Sequence, residues 1–587
     1  MQTFKKFTFL LSLNDHKNAG LLLIMIFVMA LLDMIGVASI LPFMTVLTNP
    51  SLIETSSILK IMFQASSIFG VENNQQFIFV LGILVFVTLV ASLIFKAITT
   101  YVQIRFVQMC EYGICKRLVE GYLHQPYSWF LNQHSADLGK TILSEVAQVV
   151  ANGIKPSIEL IARSMVVVAL LTLLILVNPK LTFFVGLVLG GVYVIVFYFI
   201  RNFLKKIGKK RLKNNQLRFK AISEAFGATK EVKVGGLEET YIKTFSDSAK
   251  IFATTQASSQ VIAQLPRFIL EAIAFGGILI IILNITVQTG NFNNALPIVS
   301  LYVFAGYRLM PALQHIYAAF TSLTFISPSL NKLTDDIKNL KPFSKNQTKK
   351  ALSLNKEITL KNIYYDYPEA SRTALKNITL SIPAKKTVGL IGTTGSGKTT
   401  TIDIILGLLE AQKGTLEIDG QIITKENSRS WQQLIGYVPQ HIYLPDDSIT
   451  ANIAFGVDPK DINQEAVEKA SKIANLHEFI INELPEQYQT LIGERGVKLS
   501  GGQRQRIGIA RALYHKPRVL ILDEATSALD NKTEQAVMDA VDNFNKDTTI
   551  ILIAHRLNTL KNCDIIFKLE KGQLHSQGNF NEILSSN

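Results

Sequence analysis

The chain has 587 residues, 48% of them hydrophobic and only 18% charged, with a formal net charge of +14. That length exceeds one ordinary core, and so apolar and weakly charged a composition is high for a soluble protein and points to a membrane region diluted by a soluble one. A basic balance can serve nucleic acid, so the position of the charge has to decide its meaning.

Near the N-terminus, Lys5 and Lys6 precede a short apolar run that Asn14, Asp15 and His16 interrupt. No small-residue cleavage site follows, so no signal peptide is expected. Six apolar spans come next, at 19–47, 77–102, 157–177, 181–201, 262–284 and 295–320. Each approaches the ~20 residues needed to cross the hydrocarbon core. The loop after the second span is basic (Arg105, Lys116, Arg117). The loop after the fourth carries Arg201, Lys205, Lys206, Lys209, Lys210, Arg211, Lys213, Arg218 and Lys220 with no acid among them. The connections at 48–76, 178–180 and 285–294 are poor in positive charge. This asymmetry places both termini in the cytoplasm and assigns the charge to the lipid bilayer rather than to nucleic acid.

Between the first two spans, Ile58, Ile61, Met62, Ala65, Ile68 and Phe69 recur at helical spacing, with Ser57, Lys60, Gln64 and Ser67 opposite. The segment reads either as an interfacial helix on the outer side or as an ordinary loop. Cys110, Cys115 and Cys563 have no pairing or metal-ligand spacing and are expected as free thiols.

Ionisable residues within the spans are costly unless paired or facing water, so they are candidates for substrate contact. Lys96, Arg267 and Arg308 outnumber Asp33 and Glu271. Glu271, four residues after Arg267, is placed to neutralise it, and Lys96 can snorkel to the interface. Arg308 has neither outlet. A water-filled cavity lined by Arg308, Arg267 and Lys96 would suit a phosphate or pyrophosphate group, which guanidinium forks bind in two-pronged fashion; internal pairing or snorkelling is the alternative.

After residue 326 the chain turns polar and Lys/Asn-rich, and a linker is expected to residue 357. Beyond it, the apolar run Val388 to Ile391 is followed by Gly392-Thr393-Thr394-Gly395-Ser396-Gly397-Lys398-Thr399 and a helix from Thr400. Strand, Gly-rich turn and helix start are the context of a phosphate-binding loop, in which backbone N–H groups and the helix N-terminus hold phosphate oxygens. Nucleotide contacts are expected from Gly392 to Thr400, with Lys398 on the β- and γ-phosphates and Thr399 on Mg²⁺. Val519-Leu520-Ile521-Leu522-Asp523-Glu524 is an apolar strand ending in two acids. Strand ends of this kind face the nucleotide in a doubly wound sheet. Asp523 is therefore the expected Mg²⁺ carboxylate and Glu524 the expected general base. Leu499-Ser500-Gly501-Gly502-Gln503 opens a helix carrying Arg504 and Arg506, a second anion-binding terminus in the same chain.

On these motifs the C-terminal region resembles the ATP-binding cassette of ABC transporters. The resemblance implies further roles. Tyr367 stacks on adenine; Gln440, ending Gly436-Tyr437-Val438-Pro439-Gln440, senses γ-phosphate and Mg²⁺. Glu494, in Gly493-Glu494-Arg495-Gly496, couples the cassette to the membrane domain. Ser527-Ala528-Leu529-Asp530 contacts the opposite cassette, and His555 is the switch histidine beside the γ-phosphate. It also implies ATP hydrolysis shared between two copies, the Ser500–Gln503 turn of one closing on nucleotide held by the other, so that a homodimer is expected. The segments Pro126–Asn132 and Gly227–Gly236 correspond to coupling helices, Gly235-Gly236 suiting the turn after the second. The expected fold is an N-terminal α-helical transmembrane domain of six spans (1–325), a linker (326–357) and a C-terminal α/β P-loop ATP-binding cassette (358–587). In size, span number, first external segment and intramembrane cations the whole chain is similar to flippases of lipid-linked oligosaccharides in bacterial protein N-glycosylation. That implies a polyprenyl-pyrophosphate saccharide as substrate and the bacterial cytoplasmic membrane as location. Exporters of drugs, peptides or other lipids are the alternative.

Overall fold

The computed structural model describes residues 2–50, 53, 57–66, 71–177, 179–289, 296–341, 352–368, 373–524, 531–544, 547–553 and 560–585. It forms two compact units, one comprising Met1–Gln125 with Asn132–Phe343 and the other Pro126–Leu131 with Ser344–Asn587.

The first unit is helical. Helix α1 (Gln2–Leu10) precedes α2 (Leu13–Ala38), and the polar interruption at 14–16 is the start of α2. There Ser12 and Asp15 cap each other reciprocally, satisfying N–H groups that the first turn leaves open. Helix α3 (Ile40–Thr48) and the short α4 (Ser57–Ser66) lead into α5 (Asn74–Leu123), whose 50 residues make a rod ~75 Å long. Then follow α6 (Ser135–Val177), α7 (Pro179–Gly227), α8 (Thr229–Gly235), α9 (Glu238–Thr289) and α10 (Leu296–Asn339). Gly236 ends α8 in the left-handed region at φ 61°.

Among the described residues, three helical stretches are long and apolar enough to cross a membrane: Leu13–Thr48, Asn74–Leu123 and Ser135–Val177. The other expected spans fall within α7, α9 and α10, apart from residue 295, which lies outside the described residues.

One expectation changes. The chain does not become a linker at 326: α10 runs to Asn339 straight through Pro328. The reason is packing, since Phe325, Ile326, Leu330 and Leu333 are buried together with Ser329 and Thr334. In the segment between the first spans, α4 is a helix. Leu59 is buried and Met62 and Phe63 pack with Val46, Val71 and Phe77, Phe63 meeting Phe77 edge-on at 5.2 Å. Ile61 is 65% exposed and Ala65 points outward. Ile68 and Phe69 lie outside the described residues.

Below the apolar stretches, α6, α7 and α10 share a buried polar network. Arg211 of α7 is fully buried, donating to Glu145 Oε2 at 2.7 Å and to the Ser329 hydroxyl. Asn215 donates to the other Glu145 oxygen at 2.6 Å. Glu145 ends the first of two π-helical turns in α6, Thr141–Glu145 and Val150–Ile154. Nearby, α7 approaches α10 so closely that a Cβ at Gly208 would collide with the Phe325 carbonyl oxygen.

The second unit contains two sheets. Strands β1 (Glu357–Tyr365), β2 (Leu375–Pro383), β4 (Lys413–Ile418) and β5 (Gln421–Ile422) form an antiparallel sheet in the order β2-β1-β4-β5. The six-stranded sheet has the order β10-β9-β3-β8-β7-β6. It is built from β3 (Thr387–Ile391), β6 (Ile435–Val438), β7 (Val519–Asp523), β8 (Thr549–Ile553), β9 (Ile565–Glu570) and β10 (Gln573–Gly578). All its pairings are parallel except β9 with β10. Strands β7 and β8 are buried at every position, as central parallel strands covered on both faces must be. The expected coupling segment at 126–132 contains a short helix, Tyr127–Phe130, within this second unit.

Candidate functional site

The carboxyl ends of β3, β7 and β8 lie side by side, with Ile553 opposite both Leu390 and Asp523. This is where a parallel sheet binds its ligand, because the following loops and helix N-termini converge there. After β3 the chain turns through Gly392, Gly395 and Gly397 (φ 153°, 80° and 101°) into α11 (Lys398–Ile405). Two of these glycines are required sterically. A Cβ at Gly397 would lie 2.6 Å from Leu375 Cδ2, and one at Gly392 would strike the Leu569 carbonyl.

Lys398, 6% exposed, curls back over the turn, donating from Nζ to the carbonyls of Gly392 (2.8 Å) and Thr393 (3.2 Å). Burial pushes its pKa down, with Glu524 and Asp523 pulling it back up. The Ser396 hydroxyl oxygen is buried with no partner among the described residues. A glycine-walled turn with a buried lysine and an unmet hydroxyl is a cradle that phosphate oxygens fit. At the edge, the Tyr367 hydroxyl is 3.1 Å from Thr400 Oγ1 and its ring meets Tyr365 edge-on.

Asp523, at the end of β7, is 6% exposed, and Tyr437 of β6 donates to its Oδ2 at 3.4 Å. Glu524 takes a left-handed backbone (φ 52°), its N–H donating to the Ile553 carbonyl. That turn points its carboxylate at Gln440, whose Nε2 donates to Glu524 Oε2 at 2.7 Å. No group of three His, Cys, Asp or Glu side chains is placed to hold a metal among the described residues. A divalent cation here would rest on Asp523, Thr399, Gln440 and the nucleotide's own oxygens, an oxygen-only set of the kind Mg²⁺ takes.

The Ser500 turn heads α12 (Gly501–Tyr514). Ser500 Oγ accepts from Gln503 N (3.2 Å) and Gln503 Oε1 accepts from Ser500 N (2.8 Å), leaving the N–H groups of Gly501 and Gly502 at the helix mouth. Among the described residues no hydrogen bond joins this turn to the Gly392–Thr399 loop. Upstream, Glu494–Gly496 is a tight 3₁₀ turn with Arg495 at φ 54°. His555 and Ser527–Asp530 lie outside the described residues.

Three site neighbours escape a motif reading. Tyr437 is one. Asp403 sits on α11, 8% exposed, its carboxyl raised to about 6 by burial first and then by Asp523. The only trace of it in the sequence is an acid amid the apolar run of that helix. Arg511 anchors α12 from behind, donating to the carbonyls of Asn452 (2.8 Å) and Tyr443 (2.9 Å) and lying over Phe455. Burial lowers its pKa to about 10.

In the membrane unit, Arg308 is not unpaired as the sequence suggests. It forms an ion pair with Asp33, 275 positions away, which is 2% exposed and also accepts from Ser92 at 2.7 Å. Packing of α10 beside α2 makes this possible, and no local spacing rule reveals it. Lys96 is close enough to interact electrostatically with Asp33, Arg163 and Arg308. Arg267 is apart from this group in its bonding, held by Glu271 at 2.7 Å on its own helix and 54% exposed.

Residues 375–527 match the family described as ABC transporter, and residues 19–307 match the ABC transporter transmembrane region. The ATP-dependent lipid A-core flippase of Haemophilus influenzae (strain 86-028NP) is 30% identical over 481 residues, 80% of each chain. The heterocyst differentiation ATP-binding protein HepA of Nostoc sp. is 29% identical over 78% of this chain and 74% of its own. A solved bacterial Atm1-family ABC exporter with ATP bound shares the fold, with a TM-score of 0.75 over 95% of both chains at 22% identity.

Proposed function

Because the chain belongs to the ABC transporter family, as an ATP-driven exporter whose membrane domain and cytoplasmic ATPase domain form one polypeptide, we propose that it flips a polyprenyl-pyrophosphate-linked oligosaccharide to the outer leaflet of a bacterial cytoplasmic membrane. The observation that carries this is the charged cluster of Lys96, Arg308 and Asp33 in the membrane unit. Relatives named ATP-dependent lipid A-core flippase support flipping of a lipid-linked substrate in general.

In this reading two identical copies act together. The Gly392–Thr400 loop and Lys398 hold the ATP phosphates, Tyr367 lies at the base, and Thr399, Asp523 and Gln440 hold Mg²⁺, which supplies charge neutralisation on the phosphate oxygens. Glu524, positioned by Gln440, accepts the proton of the attacking water. Gly501 and Gly502 of the second copy offer their N–H groups to the γ-phosphate, with His555 completing the set. The self-contained bonding of the Ser500 turn supports completion by a partner, since within one chain nothing described ties it to the loop. In the membrane unit Arg308, 15% exposed, exchanges its Asp33 partner for the pyrophosphate, with Lys96 adding charge and Arg267 meeting the substrate from its exposed position.

The test is translocation in reconstituted liposomes with defined polyprenyl-pyrophosphate saccharides. Arg308→Ala is expected to abolish flipping with basal ATP hydrolysis kept. Arg308→Ala with Asp33→Asn relieves the buried unpaired acid, and flipping is still expected to be lost. Normal flipping by either variant overturns the reading. The two ion pairs favour a second reading, export of drugs, peptides or other lipids, because they neutralise Arg308 and Arg267 internally. Transport indifferent to both arginines would establish it.

A further inference from the structure

We propose that the exposed lysines on the upper cytoplasmic stretch of α7 form a docking surface for anionic phospholipid headgroups of the inner leaflet, separate from the transported substrate. Arg201, Lys205, Lys206, Lys209, Lys210 and Lys213 are all exposed. They follow directly on the apolar part of α7 and extend ~18 Å along the helix axis. The opposite side of the same stretch is fixed: Leu204 and Ile207 are buried against Phe325, Gly208 abuts the Phe325 carbonyl, and Arg211 is locked to Glu145. The helix therefore cannot turn its cations inward. At the apolar boundary Arg201 stacks on Tyr198 at 5.3 Å, the aromatic–cation pairing of a headgroup-level anchor.

The local absence of acids marks this surface. Farther along the helices three exposed lysines are ion-paired, Lys116 with Glu120, Lys220 with Glu224 and Lys233 with Glu238, while Lys230, Lys243 and Lys250 have no ion pair among the described residues but lie in acid-containing sequence. From Lys205 to Lys213 no exposed cation has an acidic partner among the described residues, and no acid occurs in the chain between Arg201 and Lys220. Six like charges on one fixed face repel one another unless anions are supplied from outside. The anionic headgroups of the leaflet lie at the level of Arg201, Lys205 and Lys206, while Lys209 to Lys213 are about a Debye length below.

The probe is dioctanoylphosphatidylglycerol titrated into the full-length protein in neutral detergent, read by the shift of its apparent unfolding midpoint. Dioctanoylphosphatidylcholine and glycerol phosphate are run in parallel. Half-saturation by the anionic lipid is expected at least tenfold below that of the zwitterionic one, weakening as salt rises. Lys205→Gln with Lys206→Gln is expected to weaken it by about 25-fold, ~fivefold for each lysine. Lys220→Gln, whose charge is already met by Glu224, should leave it unchanged. The paired Lys→Arg variants keep the charge and should bind as the wild type does, which separates lost charge from a folding defect. Equal response to both lipids, an unchanged response in the Gln pair, a loss in the Arg pair, or competition by glycerol phosphate alone would each overturn the proposal. None of these results bears on the substrate assignment, which the flipping assay tests by itself.

Discussion

Replacing Arg211 by Ala removes one member of the buried network among α6, α7 and α10. Glu145, itself 3% exposed, would keep the Asn215 amide as a donor and Lys140 and Arg218 as nearby cations, but would lose its direct ion pair. Breaking one half of a buried ion pair costs about 3–5 kcal/mol. At ~2 °C per kcal/mol, the lower end for a large unit, the apparent midpoint should fall by about 6–10 °C. Arg211 Nε and Nη1 are buried without partners, so the pair repays its own desolvation poorly. Replacing both partners with apolar side chains, Arg211→Met and Glu145→Met, should therefore restore most of the loss. The assay is thermal unfolding of the purified protein in one detergent, as a double-mutant cycle. A fall under ~2 °C for Arg211→Ala, or a double variant as unstable as the sum of the two singles, would refute the reasoning.

Glu524→Gln should cut steady-state ATP hydrolysis by about 10²–10⁴-fold while nucleotide binding persists, measured by phosphate release against a fluorescent-nucleotide titration. Gly208→Ala places a methyl on the Phe325 carbonyl and should cost about 1–3 kcal/mol or block folding, seen as a lower midpoint or a lost monodisperse peak. Asp419 is a pH probe. Burial pushes its carboxyl up, but N–H donors of Asn355, Lys356 and Glu357 outweigh this and hold it below the usual range. A depressed folded pKa stabilises above the unfolded value and is lost as pH falls. The midpoint difference between wild type and Asp419→Asn should therefore be full at pH 7 and close below about pH 4.

The cassette's architecture was legible because its signals are local. A glycine turn, a lysine and an apolar strand ending in Asp523 sit within a few residues of their partners, and backbone sterics at Gly397 leave little choice. The pairing of Arg308 with Asp33 was not legible, because it depends on which helices become neighbours. The continuation of α10 through Pro328 is again tertiary, with burial of Leu330 and Leu333 outweighing a helix breaker. Asp403 and Tyr437 are ordinary residues in one dimension and gain significance only beside Asp523.

The length of α5 carries a mechanical consequence. An unbroken rod of ~75 Å is more than twice as long as the hydrocarbon layer is thick, so much of it is lever arm. A tilt of ~10° moves the tip of such a rod by about 13 Å relative to its other end. Modest rotations are thus enough to displace its far end widely, with the hydrogen-bonded backbone staying intact throughout.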